Sequence, residues 1–203
     1  MNIKLLPIFQ PVFGDSWETL PTVIKKHYAN RPYCRDSTTV KGKLDIMCAG
    51  PFRWFAPLFW LMRSVPPINQ HSVPVTVVFQ SEPNTNALCF DRTFYFHGKK
   101  PYRFRSRMIP VKDNLIAEVM ASRIAWLTAY HFREGKVILS HKGYALAFFG
   151  HLIPIPLTAL VGAGYAEEIA IDDHHFDMAV HIQHPWFGTI YGYQGRFEVQ
   201  TPA

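Results

Sequence analysis

Arg103, Arg105 and Arg107 occupy alternate positions of one short stretch. On extended backbone, residues two apart share a face and stand about 7 Å from one another. Three guanidiniums in such a row, lining a concavity, would receive a carboxylate or phosphate head group through bidentate, charge-assisted hydrogen bonds. Facing water, they would only solubilise a strand. The alternate residues, Tyr102, Phe104, Ser106 and Met108, are mostly apolar, and that favours the solvent-facing reading. Tyr144, Tyr165, His184, Trp186 and Trp60 complete the candidate ligand-binding set, several of them beside other aromatic residues.

A second group bears on acid–base chemistry. Glu167 and Glu168 are adjacent on an expected strand, so one of them turns inward. A buried carboxylate needs a partner, for which Arg105, Arg107 and Lys142 are candidates. A structural ion pair is the commoner outcome, and a general base with a raised pKa the rarer one. His141 joins Glu167, Glu168 and Lys142 as a catalytic candidate, and Lys142 has the chemistry of a Schiff-base lysine. Asp172-Asp173-His174-His175 suggests a metal cluster at first sight. Neighbouring side chains on extended backbone diverge, however, so a polar hairpin turn is the better reading. No metal site and no cofactor are expected.

The elements that must position these residues are mostly strands. Val73, Val75, Val77 and Phe79 alternate with Pro74, Thr76, Val78 and Gln80. Phe90, Arg92, Phe94 and Phe96 alternate with Asp91, Thr93, Tyr95 and His97. Period two in β-branched and aromatic residues marks strands with one buried face. Pro83–Asn86, His97–Pro101, Lys112–Asn114 and Arg133–Gly135 supply turn chemistry. Such short loops join neighbours, so the sheet is a meander. A first strand is expected over Val40–Cys48, then one long strand over Leu115–Phe132 with a bulge near Ser122. Lys136–Phe149 follows, then a hairpin of Ala166–Ile171 and Phe176–Ile182, and Thr189–Val199 closes the sheet.

Residues 1–35 read as an N-terminal helical segment, with Trp17, Leu20, Ile24 and Tyr28 on one side. Residues 36–203 read as the curved sheet, with helices near 52–65 and 157–161. The 52–65 stretch is apolar nearly all round, including Trp60, and reads as a core helix or as a lid over a cavity. The expectation is one mainly β (α+β) domain over 1–203. Its antiparallel meander of about eight strands curves into a barrel or half-barrel, with two or three short helices covering the open side.

Composition narrows the classes. Aromatic residues make up 15% of the chain, enough for a filled core or a wall that a greasy ligand touches. A net charge of +6 suits an anionic partner, but acidic residues are interspersed and no nucleic-acid reading motif appears, so nucleic acid is not expected. Three widely spaced cysteines fit a reducing compartment better than a disulfide framework. Pro7 and Pro11 interrupt the apolar N-terminus, and no small-residue cleavage site follows, so a cytoplasmic location is expected. Residues 144–164 lack charge, but Gly150, Pro154 and Pro156 break them, so no transmembrane span is expected. Peripheral membrane contact stays open.

Several strings carry a resemblance: His27-Tyr28-Ala29-Asn30-Arg31-Pro32-Tyr33, Leu58-Phe59-Trp60-Leu61-Met62, Phe104-Arg105-Ser106-Arg107-Met108, His141-Lys142-Gly143-Tyr144, Gly164-Tyr165-Ala166-Glu167-Glu168 and His184-Pro185-Trp186. The chain resembles an uncharacterised bacterial domain-of-unknown-function family, found alone or fused behind saccharopine-dehydrogenase-like reductase domains. That resemblance implies no activity, only a reductase as partner. The leading functional expectation is a binding protein for a hydrophobic or amphiphilic, anionic-headed small molecule in an internal cavity. The alternatives are an enzyme on an acyl or isoprenoid-like substrate with a Glu/His/Lys pocket, and an accessory interaction module of a reductase.

Overall fold

The structure is a computed structural model and describes residues 5–50, 53 and 66–200. The expected helix near 52–65 and its Trp60 lie outside the described residues. The described chain opens with α1 (Gln10–Phe13), a 3-10 segment (Gly14–Thr19) and α2 (Thr22–His27). The strands are β1 (Ser37–Cys48), β2 (Gln70–Ser81), β3 (Leu88–Phe94), β4 (Tyr102–Lys112), β5 (Leu115–Met120), β6 (Ile124–Arg133) and β7 (Lys136–Phe148). After β8 (His151–Ile155) comes the single turn α3 (Thr158–Val161), then β9 (Ala163–Ala170), β10 (His175–His184) and β11 (Gly188–Gln200).

All described pairings are antiparallel, and each strand lies beside its sequence neighbour except that β9 pairs with β7 rather than with β8. β6 pairs with β7 and β11 returns to β1, so ten strands close into an up-and-down barrel. Closure removes the open edges that a half-barrel would expose. β8 stands outside this ring, because it pairs only with the far half of β7, Tyr144–Phe148. The near half, Lys136–Ser140, pairs with β9. A register shift at Leu127/Thr128 marks where β7 changes partner.

The count exceeds the expected eight or so for two reasons. Leu115–Phe132 is a hairpin rather than one strand, turning at Ala121-Ser122-Arg123 without glycine, proline or asparagine. Arg123 takes φ 64° there and its N–H donates to the Met120 carbonyl at 2.9 Å. The second reason is β8, whose Pro154 is tolerated because only one edge of that strand is paired.

Period two decides what fills the ring. Val73, Val75, Val77 and Phe79 of β2 are buried, as are Phe104, Ser106 and Met108 of β4, and Arg103, Arg105 and Arg107 are exposed between the latter. The N-terminal segment plugs one end with rings. Phe9 packs on Tyr28 and Tyr130 at 4.6 and 5.3 Å, and Phe13 on the same two. Asn30 fastens this plug: its side-chain amide donates to the Asp36 and Phe79 carbonyls, and its oxygen accepts from Thr38.

The seam between β1 and β11 depends on close backbone approach. A Cβ on Gly42 would run into the Arg196 carbonyl and the Phe197 ring, and one on Gly195 into the Lys43 carbonyl. We expect Gly195→Val to weaken the seam by about 1–3 kcal/mol or more, the range for overpacked sites. Urea unfolding measures this, with Lys41→Ala on the exposed face of β1 as a control close to wild type. Equal midpoints for both variants would mean that the seam tolerates the added bulk.

Candidate functional site inside the barrel

A cavity of about 100 Å3 lies inside the ring. Its wall is largely apolar, with Val40, Val77, Phe79, Leu139, Phe176 and Phe197 among the contributors. Set into that wall are polar residues from five directions. His27 and Tyr28 arrive from the end of α2, Arg92 from β3, Glu118 from β5, Glu168 from β9 and Tyr193 from β11.

Arg92 follows from the alternation that places Phe90 and Phe94 inside. It is 6% exposed and lies between the Phe90 and Phe104 rings, 3.8 and 3.7 Å from their centroids. A guanidinium face is weakly hydrated and is attracted to an aromatic face, so two rings replace much of its water. Nη2 donates to Glu118 Oε1 at 2.5 Å and to Ser106 Oγ at 2.6 Å. Ser106 in turn donates to the same Glu118 oxygen at 2.7 Å.

Glu168 is the second internal carboxylate and is 2% exposed. Its Oε2 accepts the Tyr28 hydroxyl at 2.9 Å, and Oε1 lies 3.6 Å from His27 Nε2. Burial, then the nearby Glu168 carboxylate, pushes the Tyr28 hydroxyl well above its usual range. Tyr130 is raised in the same way by burial and by Glu118 and Glu168. Burial lifts Tyr193 to about 12 against the opposing charge of Arg92. These hydroxyls therefore stay protonated as donors at neutral pH.

One part of the wall is held by side chains rather than ladder bonds. The Trp126 indole N–H donates to His141 Nδ1 at 2.9 Å, so His141 Nε2–H faces Thr158 Oγ1, also at 2.9 Å. Burial lowers the His141 pKa, in keeping with a neutral ring in this role. The Tyr144 hydroxyl donates to the Gly162 carbonyl at 3.1 Å. Gly164 leaves room for the Trp126 ring, which a Cβ there would strike.

Of the candidate residues, Glu168 and Tyr144 line the cavity, and His141 stands directly behind it. Glu167 faces outward, where Lys136 pairs with it at 3.4 Å, and Tyr165 stacks outside on His181 at 4.8 Å. The partners of Glu168 are Tyr28 and His27, not Arg105, Arg107 or Lys142, because those three side chains project from the outer face. Arg103 pairs with Asp91 and Arg107 with Glu82, while Arg105 Nε lies 3.0 Å from Cys89 Sγ. Lys142 is exposed. His184 is buried at the start of the β10–β11 turn and accepts the Trp186 N–H at 3.2 Å, and Trp186 itself is 75% exposed. Asp172 accepts the N–H groups of His174 and His175 and closes the turn, and among the described residues no group of three His, Cys, Asp or Glu could hold a metal ion.

His27, Arg92 and Glu118 were not among the candidates. Arg92 carried a legible signal, since it stands in phase with Phe90, Phe94 and Phe96. Glu118 likewise shares the phase of Ile116 and Met120. His27 carried a weaker one, three residues after Ile24 and seven after Leu20 on the apolar side of the helix, but its aim into the barrel depends on how α2 docks.

Residues 20–197 match the family described as "Domain of unknown function (DUF4166)". The chain belongs to this family. No functionally curated protein matches the DUF4166 chain. Among solved structures, the DUF4166 barrel is similar to the crystal structure of Rv2717c from M. tuberculosis, with a TM-score of 0.47 and 12% sequence identity, over 93% of this chain and 99% of that one. Among the described residues, no helix of the barrel is long and apolar enough to cross a membrane.

Two outcomes follow from the buried charges and hydroxyls. Arg92→Met or Glu118→Leu alone should cost about 3–5 kcal/mol, the scale for stranding one member of a buried pair. The double variant should recover most of that loss in urea unfolding, and additive losses would contradict the pairing. The second outcome concerns alkali. Tyr28, Tyr130, Tyr144, Tyr191 and Tyr193 all have raised pKa values in the fold, whereas the unfolded chain releases these protons near pH 10. Their contribution is therefore complete below pH 10 and falls as pH rises above it. Phenolate absorbance should show these tyrosines ionising only as circular dichroism reports loss of the barrel. Ionisation of all nine tyrosines near pH 10 with the fold intact would refute this.

Proposed function

We propose that this DUF4166 domain is a binding protein for a small, mostly apolar molecule held inside the barrel. The observation that carries the reading is a largely apolar cavity inside the barrel with a few convergent polar groups in its wall. At about 100 Å3 it is somewhat smaller than the engineered core cavity of about 150 Å3 that admits a benzene ring. The matching ligand is ring-sized, and a long acyl or isoprenoid chain finds no room among the described residues. An anionic head group, the finer expectation, loses its support as well. The arginine row stands on the outer face, and the internal Arg92 is already paired with Glu118.

The same convergence supports a second reading, an enzyme in which Glu168 acts as general base beside His27 and Tyr28. A reductase or membrane partner, if one is used, would meet exposed apolar side chains such as Phe149, Leu160, Trp186 and Phe187.

Thermal melts with toluene, indole and oleate test the binding reading. A ligand at one hundred times its Kd adds about 2.7 kcal/mol of stability. We expect the two aromatic compounds to raise the melting temperature and oleate to leave it unchanged. Ala166 is fully buried in the cavity wall, so Ala166→Phe should fill the space and abolish the response. Arg105→Met, on the outer face, should respond like wild type. A response that survives Ala166→Phe would move the site elsewhere.

A further inference from the structure

Resting on the cavity reading, we infer that the bound molecule presents a hydrogen-bond donor, a hydroxyl or amino group, to Glu168 and His27 rather than a carboxylate. A buried carboxylate is stable only when its oxygens receive donors, and it has room for about four. Glu168 receives one at ordinary distance, from Tyr28 at 2.9 Å, while His27 Nε2 stays 3.6 Å from the other oxygen. His27 is 4% exposed, and its Nδ1 has no hydrogen-bond partner among the described residues. Its ring is packed against Phe79 and Phe176 at 4.6 and 4.8 Å, so it is held in place beside the cavity that both it and Glu168 line. An under-supplied carboxylate and an imidazole with one unpartnered nitrogen therefore line the same small space.

The sum of charges points the same way. The described lining carries one arginine, two glutamates and one histidine. With His27 neutral, the carboxylates are in excess by one. With His27 protonated, the charges balance. Neither state has positive charge to spare for an anion. Arg92 keeps an Nε–H unpartnered among the described residues, but its charge is already matched by Glu118, which with Ser106 engages its Nη2, and two phenyl rings cover its faces. A hydroxyl or amino group meets no such obstacle. It donates to Glu168 and, where it has a lone pair, accepts from His27, while an apolar ring fills the remaining wall.

Toluene, phenol, aniline and benzoate are matched in size and differ at one substituent. Titrating each into the full chain by calorimetry or ligand-observed NMR tests the inference with no substitution that might disturb folding. Phenol or aniline should bind about tenfold or more tightly than toluene and benzoate, as a hydrogen bond to a buried charged group would give. In Glu168→Gln the preference for phenol or aniline over toluene should shrink towards parity. Toluene equal to phenol, or benzoate the tightest, would overturn the donor inference and leave the cavity reading standing. Binding by none of the four would overturn the cavity reading and the inference with it.

Discussion

Burying Arg92 beside Glu118 is the constraint around which the barrel interior is arranged. A charge taken from water into an apolar medium is costly, and a buried pair is held only when geometry and extra hydrogen bonds compensate. Three strands cooperate here. β3 supplies Arg92 and one covering ring, β4 the second ring and Ser106, and β5 the carboxylate. Each of these residues must keep its inward phase, and a slip of one residue in any of the three strands would turn its member out to solvent. The pair thus ties the register of β3, β4 and β5 to one arrangement.

Glu168 poses the same difficulty on the far side of the ring, and the solution differs. Among the described residues no arginine or lysine pairs with it. The N-terminal segment brings a tyrosine hydroxyl and an imidazole into the barrel end instead, and a cluster of Phe9, Phe13, Tyr28 and Tyr130 holds them there. α2 is only Thr22–His27, too short to be stable by itself in water. Its stability comes from docking, through Val23 and Ile24 under the sheet and through the bonds that Asn30 makes to the Asp36 and Phe79 carbonyls. The plug is therefore a structural cover and at the same time the source of two cavity-lining groups.

Much of this was legible in the residues, because strands with one wet face write period two into the chain. β2, β3 and β4 could be read almost residue by residue, including which of Arg92 and Arg103–Arg107 lay in phase with phenylalanines. The Ala121-Ser122-Arg123 turn escaped because it holds no glycine, proline or asparagine, and the reversal depends on Arg123 accepting a left-handed backbone. β8 escaped because two prolines and a glycine in its neighbourhood read as a loop, whereas one unpaired edge is enough to accommodate Pro154. The site was half legible. Adjacent glutamates on a strand guarantee that one turns inward, but the partner of that one came from α2, more than a hundred residues away, and no local pattern reports such a contact.

What remains is to explain why a ring of ten strands leaves so little space. Diameter grows with strand number, and an eight-stranded ring can already be filled by side chains or hold one small ligand. The extra width here is taken up by large rings, since β2, β3, β4, β10 and β11 all send phenylalanines or tyrosines inward, and the plug fills one end. Gly164 and Ala166 on β9 are the smallest residues of the described wall around the space that is left. Trp126 fills part of the room left by Gly164, and its N–H is occupied by His141, which Thr158 holds in turn. The size of the cavity is consequently set by a chain of specific contacts that ends outside the barrel, on α3. Loosening His141 would release Trp126, and so change the shape of the space that Glu168 and His27 face from the other side.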